Sequence, residues 1–145
     1  MNKEIKFSLV VPCFNEYGSL CNSLPEIHEM ISASNFEIIF VNNGSTDQTK
    51  KLLNQFETDR LRVLHLKSNQ GYGGGIKMGL NECVGDYLGW VHADLQYSIP
   101  EIIKNIETNA GLNSFVKGRR KGRALVDQFI SLNFSVFASL LFQHR

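Results

Sequence analysis

The chain has 145 residues, 43% of them apolar and 20% charged, with a formal net charge of +1. That is enough for one domain with a buried core, and it excludes a disordered chain, a collagen-like repeat and a disulfide mini-scaffold. The near-neutral total hides two materials: residues 1–116 hold nine Lys/Arg against thirteen Asp/Glu, whereas residues 117–145 hold six against one. Four of the ten Phe also fall in the last 17 residues. Cys13, Cys21 and Cys83 lack metal-like spacing and read as reduced thiols. The opening apolar run is too short for a signal segment and stops at Pro12, so it reads as a strand.

In chain order, Ile5–Val11 is an uninterrupted β-rich run that suits a central strand closed by Pro12. Residues 17–33 place Leu20, Leu24, Ile27, Met30 and Ile31 at helical spacing. Phe36–Val41 is a second buried strand. Ser45 with Gln48 has capping-box spacing and opens a helix to Phe56. Leu61–Leu66 is a third strand. A glycine-rich turn, Gly71–Gly75, leads into a helix ending near Cys83, with Gly85 as its C-cap. Tyr87–Val91 is a fourth strand, a helix with Pro100 in its first turn runs to Thr108, and Phe115–Val116 begins a fifth strand. Alternating strands and helices predict an α/β fold, a mostly parallel sheet with helices on both faces.

Ligands of such sheets bind at the carboxyl ends of the strands. The informative residues are then Pro12–Glu16, Asn42–Asp47, Lys67–Gly71 and His92–Gln96. The glycine run fits neither a dinucleotide fingerprint nor a P-loop. It serves either as a tight turn or as a place where a backbone approaches an anion. His92 and Asp94, two apart on a strand, point the same way, with Gln96 beyond. They are either a capping Asp and a surface His or ligands for Mn²⁺ or Mg²⁺. Turn and capping chemistry accounts for Asn43–Asp47, while Asn42 has an amide able to read a nucleobase edge.

Lys117–Arg123 packs five cations into seven residues, and residues 124–142 are thirteen-nineteenths apolar with Asp127, Ser131, Ser135 and Ser139 every fourth position. The polar positions argue against a transmembrane span. The segment suits an anionic membrane surface, a core contact or a dimer interface.

These four strand-end motifs together resemble the inverting glycosyltransferases of family 2, across residues 5–120. The family pattern P-x-x-N-E, D-D-G-S-x-D, N-x-G-x-G and D-A-D-L-Q is matched in order by Pro12–Glu16, Asn42–Asp47, Asn69–Gly73 and His92–Gln96. The resemblance implies a GT-A (Rossmann-like) fold and a nucleotide-sugar donor. Pro12, Phe14 and Glu16 would flank the nucleoside, Asn42 would read the base, and Asn69 and Gly71 would sit near the nucleotide. Asp94 would be catalytic and, with His92 and Gln96, would hold Mn²⁺ or Mg²⁺. Here His92 replaces an acidic ligand, so one negative charge is lost and metal affinity falls at low pH. Arg119, Arg120 and Arg123 would grip an acceptor phosphate, with Arg119 also catalytic.

A hydroxyl acceptor needs a general base, which family members supply from later sequence; a phosphate acceptor is already an anion. After Gln96 the acidic residues are Glu101, Glu107 and Asp127, none well placed as a base. A polyprenyl-phosphate acceptor is therefore expected, with a saccharide hydroxyl or a non-catalytic nucleotide-binding module as the alternatives. The expected organisation is a donor-binding core over 1–116 and a basic segment with an amphipathic interface helix over 117–145. The chain is short for this family, so its donor half is expected to be complete and its acceptor half interrupted. The expected location is cytoplasmic, peripheral at the inner membrane face through 117–142, with a homodimer as another way to cover the helix and no nucleic-acid partner.

Overall fold

The computed structural model describes residues 5–32, 34–93 and 99–109. The fifth strand expected at Phe115–Val116 and the segment 117–145 lie outside the described residues. The elements are β1 (Phe7–Cys13), α1 (Tyr17–Ile31), β2 (Phe36–Asn43), α2 (Thr49–Gln55), β3 (Leu61–Leu66), α3 (Gly71–Leu80), β4 (Tyr87–Trp90) and α4 (Ile99–Asn109).

The four strands form one parallel sheet in the order β3-β2-β1-β4. The chain steps outward from β1 to β3, then crosses back over to β4 on the other side of β1. Right-handed crossovers in opposite directions place their helices on opposite faces. Accordingly α1 packs with α2, while α3 packs on β1 and β2. The order reverses beside β1, which is the switch point where a crevice opens at the carboxyl ends.

β1 and β2 are buried along their whole length, as unbroken apolar runs require. Leu20, Leu24, Ile27 and Ile31 form the buried stripe of α1. Burying each contributes about 1.5–3 kcal/mol. On the other face Val10, Ile39 and Val41 pack with Leu64, Leu66, Leu80 and Cys83. Gly79 makes this close approach possible, because a Cβ there would strike Val10 and lie 2.8 Å from Val41 Cγ2.

Several boundaries differ from the sequence expectation. β1 does not stop at Pro12 but runs through it to Cys13. The Val91 N–H donates to the Val10 carbonyl, so Val10 and Pro12 both turn their backbone groups toward the β4 side. Pairing with β4 ends at Val10, so the N–H that Pro12 lacks has no ladder partner to lose. The glycine run is not a turn before α3 but its first turn and a half, and α3 ends at Leu80 rather than near Cys83. Gly85 is no C-cap; its N–H donates to Ser8 Oγ at 2.8 Å and its Cα lies against the β1 backbone.

The amino end of the sheet is closed by one fully buried acid. Glu37 accepts from Ser8 Oγ at 2.6 Å, from the Val84 N–H at 2.8 Å and from Arg62 at 3.2 Å. The same guanidinium donates to the Glu82 carbonyl at 2.7 Å. Thus β1, β2, β3 and the approach to β4 are tied together below the site, with the buried charge paired and hydrogen-bonded as burial demands.

Candidate functional site at the carboxyl ends of the strands

The loop after β1 and the loop after β2 are clasped to each other. Asn15 adopts a left-handed backbone, φ 57°, which Asn tolerates better than most residues. That turn aims its Oδ1 at three donors: the Thr46 N–H at 2.8 Å, the Thr46 hydroxyl at 3.3 Å and the Asp47 N–H at 3.3 Å. The Asn15 N–H donates in return to Ser45 Oγ at 3.0 Å. Asp47 accepts from the Tyr17 and Thr49 N–H groups, joining the starts of α1 and α2. Desolvation pulls the Asp47 carboxyl upward, but the hydrogen bonds from Thr49 and Tyr17 hold it below its usual range. The expected capping box does not form: α2 starts at Thr49, and Ser45 instead serves Asn15 and Asn42.

The two consecutive amides that end β2 point to opposite faces, as strand alternation requires. Asn42 is 2% exposed. Its Oδ1 accepts from the Ser45 N–H at 3.1 Å, and its Nδ2 donates to His65 Nδ1 at 3.0 Å. Asn43 faces α3 and clasps the loop after β3. Its Oδ1 accepts from the Gln70 N–H at 2.8 Å, and its Nδ2 donates to the Gly71 carbonyl at 2.9 Å and to Asn69 Oδ1 at 3.3 Å. Asn69 in turn accepts from the Gly71 N–H at 2.8 Å. Asn43 is therefore a buried tie rather than a turn residue. A carboxylate could not make its two donations, which gives the amide at this position a physical role.

Gly71 turns the chain at φ 73°, a conformation that favours glycine. A Cβ at Gly71 or Gly73 would meet nothing within 4 Å, so the first turn of α3 borders open space. Around the same edge stand exposed aromatics: Phe14 at 45%, Tyr72 at 43% and Tyr17 at 39%. Pro12 is buried on β1 below them, and Glu16 accepts from the Ser19 hydroxyl at 2.8 Å at the start of α1. Cys13 is buried, and burial pushes its thiol pKa far up, so it stays a packed thiol. All three cysteines are free.

β4 ends at Trp90, so His92 lies beyond the strand and the strand-alternation argument for pairing it with Asp94 does not apply. Its ring stacks on Tyr72 of α3, centroids 4.5 Å apart and planes within 8°. Stacking occupies one face of the imidazole, and the residue as a whole is exposed. Imidazole is a donor that suits Mn²⁺, and an exposed His92 fits such a role. Among the described residues no three His, Cys, Asp or Glu side chains gather to hold a metal. Asp94 and Gln96, the other expected metal ligands, lie outside the described residues, as do Arg119, Arg120 and Arg123. Glu101 is exposed on α4, where Ile99 and Ile103 are buried.

The structure thus brings Pro12, Phe14, Glu16, Asn42, Asn69, Gly71 and His92 to one end of the sheet. It adds His65 and Tyr72, which the sequence did not single out, and it makes loop-to-loop ties of Asn15 and Asn43, which the sequence placed among the strand-end residues without that role. Polar residues immediately after β-rich runs were the available signal for Asn15 and Asn43. His65 gave none, since it stands inside a strand.

The pattern that defines glycosyl transferase family 2 matches residues 8–129. Human dolichyl-phosphate beta-glucosyltransferase is 31% identical over 110 residues, covering 68% of this chain and 34% of that protein. The undecaprenyl-phosphate 4-deoxy-4-formamido-L-arabinose transferase of Yersinia enterocolitica is 33% identical over 129 residues, covering 80% of this chain and 38% of that protein. The mannosyltransferase PcManGT of Pyrobaculum calidifontis, solved with GDP-Man and Mn²⁺, superposes with a TM-score of 0.52 at 19% identity, over 63% of this chain and 28% of that one. The fold is that of the GT-A glycosyltransferases. The chain spans about a third of the length of the curated relatives it matches. It belongs to glycosyl transferase family 2.

Proposed function

We propose that this member of glycosyl transferase family 2 binds a nucleotide-sugar at the carboxyl ends of its strands and transfers the sugar, with inversion, to a polyprenyl phosphate. The observation that carries the reading is the convergence, beside β1, of the loops after β1, β2 and β3, tied to one another by Asn15 and Asn43, with His92 beyond β4 stacked on Tyr72 of α3. Relatives whose names specify dolichyl phosphate and undecaprenyl phosphate support the acceptor class.

In this reading Pro12, Phe14 and Glu16 flank the nucleoside, with the exposed Phe14 ring offering a stacking face. Asn42 was expected to read the base, but its amide is buried and engaged at both ends by Ser45 and His65, so in this reading it shapes the loop under the base instead; Asn69 and Gly71 place open backbone near the phosphates. Donor and acceptor are held in line, which supplies most of what such a transfer requires. An acceptor phosphate oxygen forms the new bond to the anomeric carbon while the bond to the diphosphate breaks and the nucleoside diphosphate leaves with the electron pair. The acceptor oxygen carries no proton, so no base is needed. Mn²⁺ or Mg²⁺ held by His92, Asp94 and Gln96 would neutralise the charge that develops on the departing diphosphate. Arg119, Arg120 and Arg123 would orient the acceptor phosphate as bidentate forks.

Residues 1–116 would form the donor-binding core. Residues 117–142 would lie on the inner face of the cytoplasmic membrane, with a second copy as the other cover for their apolar face. Among the described residues no helix is long and apolar enough to cross a membrane.

Calorimetric titration of the chain with nucleoside diphosphates, with and without Mn²⁺, tests the donor site. Binding strengthened by Mn²⁺ is the expected result, and Asp94→Ala should remove the Mn²⁺ increment. No heat with any nucleoside diphosphate would refute the donor site. For the membrane, flotation with anionic liposomes is expected to carry the chain upward and neutral liposomes to leave it behind.

A further inference from the structure

One line of hydrogen bonds crosses the site side of the sheet and admits only one polarity. The Ser45 backbone N–H can only donate, so the Asn42 amide must turn Oδ1 toward it. Asn42 Nδ2 then faces His65 Nδ1, 3.0 Å away, which must accept. The proton of a neutral His65 therefore sits on Nε2, which donates to Asn54 Oδ1 at 2.7 Å. Beyond Ser45 the line continues through Ser45 Oγ to the Asn15 N–H at 3.0 Å. It joins α2, β3, β2 and the loops after β2 and β1.

We propose that His65 is a positioning residue, which fixes the Asn42 amide and the Ser45 turn while neutral and releases them when protonated, so that donor binding weakens in acid. The role in binding rests on the donor-site reading above; the role in positioning does not. An imidazolium carries a proton on Nδ1, which would meet the Asn42 NH₂ donor to donor. Flipping the Asn42 amide would cure that clash and create the same one at the Ser45 N–H. No arrangement of these groups satisfies a charged His65.

The charged groups that face His65 are Lys50 on α2 and Glu57 just after it; β2 brings the neutral Asn42. Burial, with Lys50 beside it, moves the imidazole pKa below its ordinary 6.5, and Glu57 opposes this. With the folded value lowered, the contribution of the line is complete above about 6.5 and is lost as pH falls through the lowered value.

Two measurements on the full chain test this. Nitrogen-15 NMR of the imidazoles should show His65 as the Nε2–H tautomer at neutral pH, and the Ser45 amide signal should follow its protonation. Affinity for UDP or GDP should weaken about three- to tenfold across that titration. His65→Asn, whose Oδ1 can still accept from Asn42 but cannot titrate, should remove that weakening. An Nδ1–H tautomer, a Ser45 amide indifferent to His65, or the same pH profile in His65→Asn would overturn the proposal. If neither diphosphate binds at any pH while Ser45 still follows His65, the positioning role is supported and the donor-site reading alone falls. The tautomer measurement needs no variant, so a His65→Asn chain that does not fold leaves the test intact.

Discussion

The two ends of this sheet solve opposite problems with similar residues. At the amino end, Glu37 is fully buried and meets Ser8, Val84 and Arg62, so the starts of three strands and the approach to β4 are joined by one satisfied carboxylate. At the carboxyl end, ties run from neutral amides to loop backbone, one carboxylate (Asp47) is exposed, and Phe14, Tyr17, Tyr72 and His92 stand open beside them. A buried charge gives a rigid floor. Amides, which both donate and accept, shape loops while leaving room for a ligand that brings its own charge.

If that division holds, substitutions at the floor should change stability and spare recognition, and substitutions above should do more to recognition. The largest effect belongs to Glu37→Ala, which strands the Ser8 hydroxyl and the Val84 N–H, leaves Arg62 only Glu82 and opens a buried space. Urea unfolding should show a loss of about 3–5 kcal/mol. Where the variant remains folded, its affinity for a nucleoside diphosphate should be unchanged; a matching loss of affinity would break the distinction between the ends. Asn15→Ala comes next, because it removes the acceptor of three hydrogen bonds and leaves a residue with a Cβ in the left-handed region. It should cost about 2–3 kcal/mol in the same assay. Asn15→Gly relieves the backbone, so it should recover part of the stability and none of the lost ligand affinity.

Asn43→Asp should destabilise by about 1–2 kcal/mol at neutral pH, since a carboxylate would face the Gly71 carbonyl and Asn69 Oδ1. Thermal melting should show the penalty shrinking in acid, where a protonated carboxyl can donate once. The smallest effect is the acid response of Asp47. Its pKa is lowered from 3.8, so its contribution is present above that value and lost as pH falls through the lowered one. The Tyr17 and Thr49 amides should exchange faster with solvent over that same acid range.

Much of the sheet was readable in the sequence, because the β-rich runs at Phe36–Val41 and Leu61–Leu66 suit strands and the α1 stripe has a clean helical period, whereas the Glu37 network under it was not. The failures have local causes. Pro12 reads as a terminator until the short length of β4 shows that its missing N–H faces no partner. The glycine run reads as a turn because glycine disfavours helix interiors, but α3 lies so close to the sheet that a Cβ would clash at Gly79 and crowd Asn43 and Pro12 at Gly75. Ser45 and Gln48 have the spacing of a capping box, yet a tertiary partner, Asn15, claims the serine. The rule that ligands of parallel sheets bind at strand carboxyl ends pointed to the loops that Asn15 and Asn43 tie together. The line through His65 was invisible, because nothing in a strand sequence says which neighbour in the sheet a side chain will meet.

Hydrogen exchange of the full chain with and without a nucleoside diphosphate and Mn²⁺ tests the central claim most directly. The account predicts new protection in residues 14–17, 44–48 and 67–73, with the amides of Val84 and Gly85 at the other end unchanged. Protection spread equally over both ends, or confined to the amino end, would contradict it.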